Sequence, residues 1–262
     1  MSKIPENIEF WFRSEKIVRS ISSTTEDMMK YYDKKKIQHG YQRVLFLLLQ
    51  RLHLNYSTIG RIMDKEYLNV SKFRFPIFSL LRPLLSDLII QTYLVEVLKF
   101  ESDTLQPFQE DFMKRYKEIS NSYYQRLDSL LASQIKEGIV TEADRNDYFK
   151  QLKEDDPFHF EADKLRVKRM TQLQPKTLVD EIKKGRFQEL ANVYEFYFIL
   201  SQYDHFTEQT EELMDTNFEL DYKLIFQCSN YLVSGIIMNN SLMDLSTPFK
   251  DTLLNLKQNL GK

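Results

Sequence analysis

Residues 76–100 read PIFSLLRPLLSDLIIQTYLVEVLKF, and apolar side chains occupy so many of these positions that a helix there has no wholly exposed face. Pro76 fits the first turn of a helix, where the N–H that proline lacks would have no intrahelical partner. The stretch therefore predicts a central helix from Pro76 to about Phe100, which other helices cover.

Outside this stretch the composition also favours helices over strands. Gly and Pro are scarce, with 6 and 7 residues, so the chain has few of the turn residues that frequent strand connections need. The aromatic residues recur every three or four positions, which is the helical period. With 262 residues, no Pro/Gly/Ser linker and no internal repeat, we expect one all-α domain over residues 1–262, a multi-helix bundle with long central helices.

A narrow apolar stripe follows the central helix in sequence. Its members alternate in steps of three and four, the spacing of a coiled-coil seam, and are Leu105, Phe108, Phe112, Tyr116, Ile119, Tyr123, Leu127 and Leu130. Glu137-Gly138 ends the stripe, and Thr141 with Asp144 matches the cap of a second helix. We predict a helical hairpin over residues 104–155 that projects from the core, followed by an irregular connection over 158–174.

Charge and cysteine content restrict the environment and the partners. The formal net charge of -2 and the pI near 6.2 create no overall field for nucleic acid or an anionic membrane, so nucleic-acid binding would have to be local. The single cysteine, Cys228, is expected to be a buried small hydrophobe in a reducing compartment, which favours a soluble cytoplasmic protein. We predict no membrane span, because the most apolar run, Val44–Leu49, is far shorter than the roughly 20 residues required.

Local signatures of several enzyme classes are missing. The sequence has no Gly-rich phosphate loop of the P-loop or Rossmann type. None of the four histidines follows a glutamate at the Glu-x-x-His spacing of helical di-iron sites. We therefore expect no metal centre and no cofactor.

The remaining chemistry lies in four polar residues on two apolar helices. The helix expected from Arg186 to about His205 places Ser201 and His205 one turn apart on its core face. The central helix carries Arg82 and Asp87, which are costly to bury without partners, so we predict that one of them approaches the Ser201/His205 pair. The four residues then form either a closed polar network that sets helix register or a pocket where Arg82 binds an anion and His205 titrates.

Two segments carry a resemblance to known proteins. Ser79-Leu-Leu-Arg82-Pro-Leu-Leu-Ser-Asp87 followed by Tyr197-Phe-Ile-Leu-Ser201-Gln-Tyr-Asp-His205 resembles a group of uncharacterised bacterial helical proteins that look distantly like HEPN-type domains. Where HEPN domains are ribonucleases, the resemblance implies an arginine, then four to six further residues and then a histidine, all on one helix. No histidine here has an arginine at that spacing before it, so an RNase site would be a composite of Arg82 and His205.

Two functions follow from these features. The first is a non-enzymatic protein-interaction or structural module, in which the hairpin binds a protein partner or forms a homo-oligomer. The alternative is a phosphodiester- or nucleotide-directed enzyme with His205 as acid or base and Arg82 as anion clamp. A serine nucleophile at Ser201 is not favoured, because no oxyanion-hole element can be recognised.

Overall fold

The computed structural model describes residues 6–34, 40–65, 70–97, 106–162, 164–170, 173–202, 218–243 and 248–260. These residues contain nine α-helices and no strands, which confirms the all-α prediction. The helices are α1 (Glu6–Asp33), α2 (Gly40–Lys65), α3 (Val70–Val95), α4 (Gln106–Lys136), α5 (Glu142–Asp155), α6 (Pro175–Ile182), α7 (Val193–Gln202), α8 (Phe218–Met243) and α9 (Lys250–Asn259).

The central helix differs from its prediction at both ends. It begins at Val70 and ends at Val95, so Pro76 lies inside the helix rather than in its first turn, as does Pro83. An internal proline breaks one backbone hydrogen bond and strains the helix. Packing overrides this cost, because Ile77, Phe78 and Leu81 are at most 1% exposed.

α2 continues without a break through Asn55-Tyr56-Ser57, a polar segment whose composition favours a turn. The polar residues there remain helical by bonding to the preceding turn: Asn55 Nδ2 donates to the Arg51 carbonyl and Thr58 Oγ1 to the Leu54 carbonyl. Tyr56 between them is fully buried and hydrogen-bonds Ser229 at 3.0 Å. The burial of Tyr56 and its hydrogen bond to Ser229 therefore keep this segment helical.

The chain divides into two compact units, one of Met1–Glu96 with Leu178–Lys262 and the other of Val97–Thr177. In the first unit α3 packs against α2, α7 and α8, as the central helix is expected to do. Phe75–Val95 is the one stretch of the described residues long and apolar enough to cross a membrane, and 61% of its apolar window is buried inside the protein. A helix buried in the core of a protein passes the same test of length and composition.

A carboxylate links the end of α3 to the segment before α7. Glu96 Oε1 accepts from the Phe187 backbone N–H at 2.8 Å, and Oε2 accepts from the Arg186 N–H at 3.1 Å. The carboxylate lies directly over Gly185, so any Cβ at that position would overlap it. A side chain larger than that of glycine would therefore force the Glu96 carboxylate to move.

Gly185→Ala is expected to lower the free energy of unfolding of the first unit by about 1–2 kcal/mol, because the methyl group displaces the carboxylate from two N–H groups. Fluorescence of Trp11, the single tryptophan, would follow the unfolding in urea. The matched control is Gly60→Ala in α2, where the nearest atom to a new Cβ is Val18 Cγ1 at 3.7 Å. Alanine there should stabilise by up to about 1 kcal/mol, and a loss of stability in both variants would contradict the role given to Glu96.

The second unit contains the two helices of the predicted hairpin, α4 and α5. Thr141 caps α5, and Thr141 and Asp144 form the reciprocal capping box that their spacing indicates. Phe149, Phe160 and Val167 form its buried core, and Tyr124, Leu127, Leu131, Leu152 and Leu165 pack against them. Whether the hairpin projects from a single domain over 1–262 stays a prediction.

Residues 157–162 and 164–170 follow α5, overlap the predicted irregular connection over 158–174 and close this core. They contain a 3₁₀ turn, Pro157–His159, and an antiparallel bridge between Phe160 and Val167. Lys153 Nζ in α5 donates to the carbonyls of Glu161, Ala162 and Lys164. We call residues 157–170 the strap.

Candidate functional site

An open pocket lies in the first unit where α2, α3 and α7 meet. It has a volume of about 360 Å³ and is lined by Arg51, Ser79, Arg82, Pro83, Ser86, Asp87 and Tyr197. Two of the four predicted site residues, Arg82 and Asp87, therefore line one pocket. Pro83 has no N–H to donate to the Ser79 carbonyl one turn earlier, so the pocket lies where the hydrogen-bond ladder of α3 is interrupted.

Asp87 is the buried acid of the pocket. Its side chain is 11% exposed, and Arg51 Nε approaches Oδ2 at 3.2 Å. This contact is an ion pair without hydrogen-bond geometry, and Oδ2 accepts no hydrogen bond within the described part of the chain. Burial raises the pKa of the Asp87 carboxyl to about 6, and the charge of Arg51 opposes that rise only in part.

Arg82 reaches α7 at Tyr197. Its guanidinium carbon lies 5.4 Å from the centre of the Tyr197 ring, within the range of a cation–π contact. Tyr197 precedes Ser201 by one turn of α7, so Arg82 contacts this helix one turn before Ser201. The partner of Asp87 is Arg51, which the sequence prediction does not include.

Ser201 makes its described hydrogen bonds on its own helix. Its Oγ donates to the Phe198 carbonyl at 2.6 Å and accepts from Gln202 Nε2 at 3.4 Å. His205 lies outside the described residues, so its approach to Arg82 or Asp87, and the phosphodiester chemistry that depends on it, stay predictions.

The core face of α7 differs from the predicted one. The helical period that predicts Ser201 on the core face puts Phe198 there as well, yet Phe198 is 57% exposed, whereas Val193 and Leu200 are buried. The helix is also shorter than predicted, since residues 188–192 form a 3₁₀ segment and α7 begins only at Val193. A projection at the α-helical angle from Arg186 therefore accumulates a rotation before the helix starts.

The sequence prediction also misses a polar cluster in the second unit, centred on His159. His159 is 1% exposed, stacks on Tyr124 at 4.1 Å and contacts Asn121 Oδ1 through Nδ1 at 3.2 Å. Its Nε2 lies 3.2 Å from Ser120 Oγ and 3.6 Å from Asp156 Oδ2. Burial lowers the pKa of His159, Lys117 and Lys168 lower it further, and Asp156 opposes them.

The His159 cluster places a hydroxyl, an imidazole and an amide in the order that orients a nucleophile and its base. The ring is nevertheless closed off from solvent, so a substrate has no access to it in this conformation. The signal available in the sequence is Asp156-Pro157 before the histidine, which indicates a capped turn but does not show that the ring is buried. The cluster is best assigned to holding the strap on α4.

Neither a metal site nor a reactive cysteine is found among the described residues. The described residues contain no group of three or more His, Cys, Asp or Glu side chains arranged to hold a metal ion. Cys228 is buried in α8, and burial raises the pKa of its thiol to about 12. The thiol therefore stays protonated at neutral pH and is poorly suited to act as a nucleophile.

The second unit also exposes apolar side chains. Tyr123 and Leu130 of α4 are 61% and 54% exposed, Ile139 in the connecting turn is 66% exposed and Tyr148 of α5 is 43% exposed. Tyr123 and Leu130 belong to the seam predicted from the sequence. The hairpin core uses other positions of α4, namely Tyr124, Leu127 and Leu131, of which only Leu127 is also part of that seam.

Comparison of the chain with protein-family models, with curated proteins and with solved structures found no match. The resemblance to HEPN-type helical proteins therefore stays a prediction. The features that bear on function are those of this chain: the open pocket, the His159 cluster and the exposed side of α4.

Proposed function

We propose that this chain is a non-enzymatic protein-interaction module whose contact surface runs along α4. The supporting observation is a line of apolar side chains on this helix that the hairpin core leaves uncovered. Tyr116 and Ile119 are half-buried, while Tyr123 and Leu130 are more than half exposed. We call these four residues the α4 stripe.

The spacing of the α4 stripe is that of a helix that packs against another helix. Steps of three, four and seven keep side chains on one line as a coiled coil winds. Tyr124 and Leu131 enter the hairpin core. Each follows a stripe residue, Tyr123 or Leu130, and therefore lies about 100° further around α4. A second helix can thus pack on the α4 stripe without disturbing the hairpin core. Exposed tyrosine and leucine together are typical of contact surfaces, because an aromatic ring buries a large area at a small entropic cost.

A second copy of the chain is the partner that fits this stripe. Arg126 lies in the same line, between Tyr123 and Leu130, and is exposed. In an antiparallel pair of α4 helices, a register that places Ile119 opposite Tyr123 also places Arg126 opposite Tyr116. The arginine then meets an aromatic face, with which it makes a cation–π contact.

The double variant Tyr123→Ser, Leu130→Ser is expected to weaken self-association by at least about tenfold, because each half-exposed apolar side chain contributes on the order of 1 kcal/mol when buried. Sedimentation equilibrium of the full chain would give the dissociation constants. The control is Ile139→Ser, Tyr148→Ser, which removes equally exposed side chains away from the stripe. A chain that stays monomeric, or a dimer weakened only by the control, would contradict the proposal.

A further inference from the structure

The outer side of α2, opposite the face that enters the core, carries a line of apolar and basic side chains. Arg43, Leu47, Leu54 and Arg61 follow one another in steps of four, seven and seven, which keeps them within about 40° of each other around the helix. Leu47 is 44% exposed and Leu54 is 62% exposed, although the outer side of a helix that packs on a core is usually polar. We call these four residues the α2 line.

The two arginines of the α2 line are exposed and are not neutralised. Neither Arg43 nor Arg61 makes an ion pair or a side-chain hydrogen bond within the described part of the chain. From Gly40 to Met63 the sequence of α2 contains no Asp or Glu. On α1, which packs against α2, opposite charges instead pair one turn apart, as Glu9–Arg13, Glu15–Arg19 and Glu26–Lys30.

The charge of the α2 line restricts what can cover it. A second α2 helix does not fit, because pairing two copies of the line would bring four arginines together without an acid. The line therefore requires a partner that carries negative charge.

The shape of the α2 line favours a single helix over a lipid surface. A helix that lies in a membrane interface needs a wide apolar face, whereas this line is one residue wide. Steps of four and seven are those of a coiled-coil seam, so a partner helix can place one apolar side chain against each leucine.

We propose that the α2 line binds an amphipathic helix of another protein, in which two apolar side chains seven residues apart are flanked by Asp or Glu. The apolar pair packs on Leu47 and Leu54, and the carboxylates accept hydrogen bonds from Arg43 and Arg61. Pairing of guanidinium with carboxylate at both ends sets the register of the partner. The α2 line belongs to the first unit and is separate from the α4 stripe of the second.

The probe is a synthetic helical peptide of about 25 residues, with two leucines seven positions apart and a glutamate one to two turns beyond each. Its matched control carries lysine in place of both glutamates. Fluorescence anisotropy of the labelled peptides, titrated with the full chain at low ionic strength, would give the dissociation constants. We expect the glutamate peptide to bind at least about tenfold more tightly than the lysine peptide, because like charges oppose the second complex.

Two double variants separate the apolar contribution from the charged one. Leu47→Ser, Leu54→Ser should weaken binding of the glutamate peptide by at least about tenfold, because the apolar area that the complex buries is lost. Arg43→Gln, Arg61→Gln should bind the glutamate and lysine peptides with equal affinity, because the line then carries no charge to select between them.

The matched control is the double variant Lys250→Gln, Leu254→Ser in α9. It removes one exposed cation and one leucine that is 42% exposed, one turn apart on a different helix. Its affinity for the glutamate peptide should equal that of the wild type. Tyr123→Ser, Leu130→Ser in the α4 stripe should also leave this affinity unchanged, so the two interaction surfaces are tested separately.

Three results would overturn the proposal. One is the absence of binding between the wild type and the glutamate peptide. Another is equal affinity of the wild type for the two peptides, or unchanged affinity in Leu47→Ser, Leu54→Ser, with folding verified by Trp11 fluorescence. The third is co-sedimentation of the chain with phosphatidylserine vesicles, lost in Leu47→Ser, Leu54→Ser, without peptide binding, which would assign the α2 line to a membrane surface.

Discussion

Asp87→Asn should raise the free energy of unfolding of the first unit by about 2–3 kcal/mol near pH 8. The carboxylate is nearly enclosed, and burial raises its pKa from 3.8 to about 6. A shift of that size corresponds to about 3 kcal/mol of unfavourable ionisation in the folded state. Asparagine keeps the shape and carries no charge, so this cost disappears.

The raised pKa of Asp87 also determines how the free energy of unfolding changes with pH. Because the folded-state pKa lies above the unfolded one, the folded protein binds the Asp87 proton more tightly. The contribution of Asp87 to stability is therefore fully present below about pH 4 and is lost as the pH rises through about 6. Asp87→Asn should remove this component of the pH dependence.

Urea denaturation followed by Trp11 fluorescence at about pH 4.5 and about pH 8 would measure both effects, because the single tryptophan belongs to the first unit. The control is Asp27→Asn, which removes an exposed carboxylate of α1 and should change stability by less than about 0.5 kcal/mol. A destabilised Asp87→Asn at the higher pH would mean that the ion pair with Arg51 outweighs burial.

His159→Ala should destabilise the strap by about 3 kcal/mol, since it opens a cavity beside Tyr124 and leaves Asn121 Oδ1 without its described partner. Hydrogen exchange of the backbone amides in residues 157–170 would measure the loss. Trp11 fluorescence should show unfolding of the first unit unchanged. Tyr148→Ala is the control in the same unit, with an exposed ring whose removal should cost less than about 0.5 kcal/mol.

The pH dependence at His159 runs opposite to that at Asp87. Burial lowers the pKa of His159 in the folded state, so the unfolded chain binds the proton more tightly. Protection of the strap amides should fall as the pH drops below about 6.5, the ordinary pKa of histidine. Equal opening free energies at about pH 5 and about pH 8 would show that the ring is protonated without cost and reject the buried neutral form.

Helix class and the capping box on α5 were predictable because both depend on neighbours within one or two turns. Thr141 and Asp144 satisfy each other's backbone across three positions, and no distant residue is needed. The ends of α2 and α3 were not predictable in this way. α2 stays helical through a polar segment because Tyr56 is buried there and hydrogen-bonds Ser229, which is far away in sequence.

In the pocket, too, some residues could be predicted from the sequence and others could not. Arg82 and Asp87 were identifiable because charged residues inside an apolar helix require partners. Their partners, Tyr197 and Arg51, were not identifiable, because each lies on another helix and neither is unusual in its own segment. His159 has no helical pattern around it, so only the folded strap shows that the ring is buried.

By itself, the sequence determined the all-α class, the central position of the apolar helix and the capping box on α5, because helical periodicity, cap spacing and the scarcity of glycine and proline act locally. The tertiary structure alone decided that α3 continues through Pro76, that Arg51 pairs with Asp87 and that the hairpin core leaves Tyr123 and Leu130 exposed. These features depend on which faces of distant helices meet, and the free energy of burying those faces exceeds the local preferences that a sequence reveals.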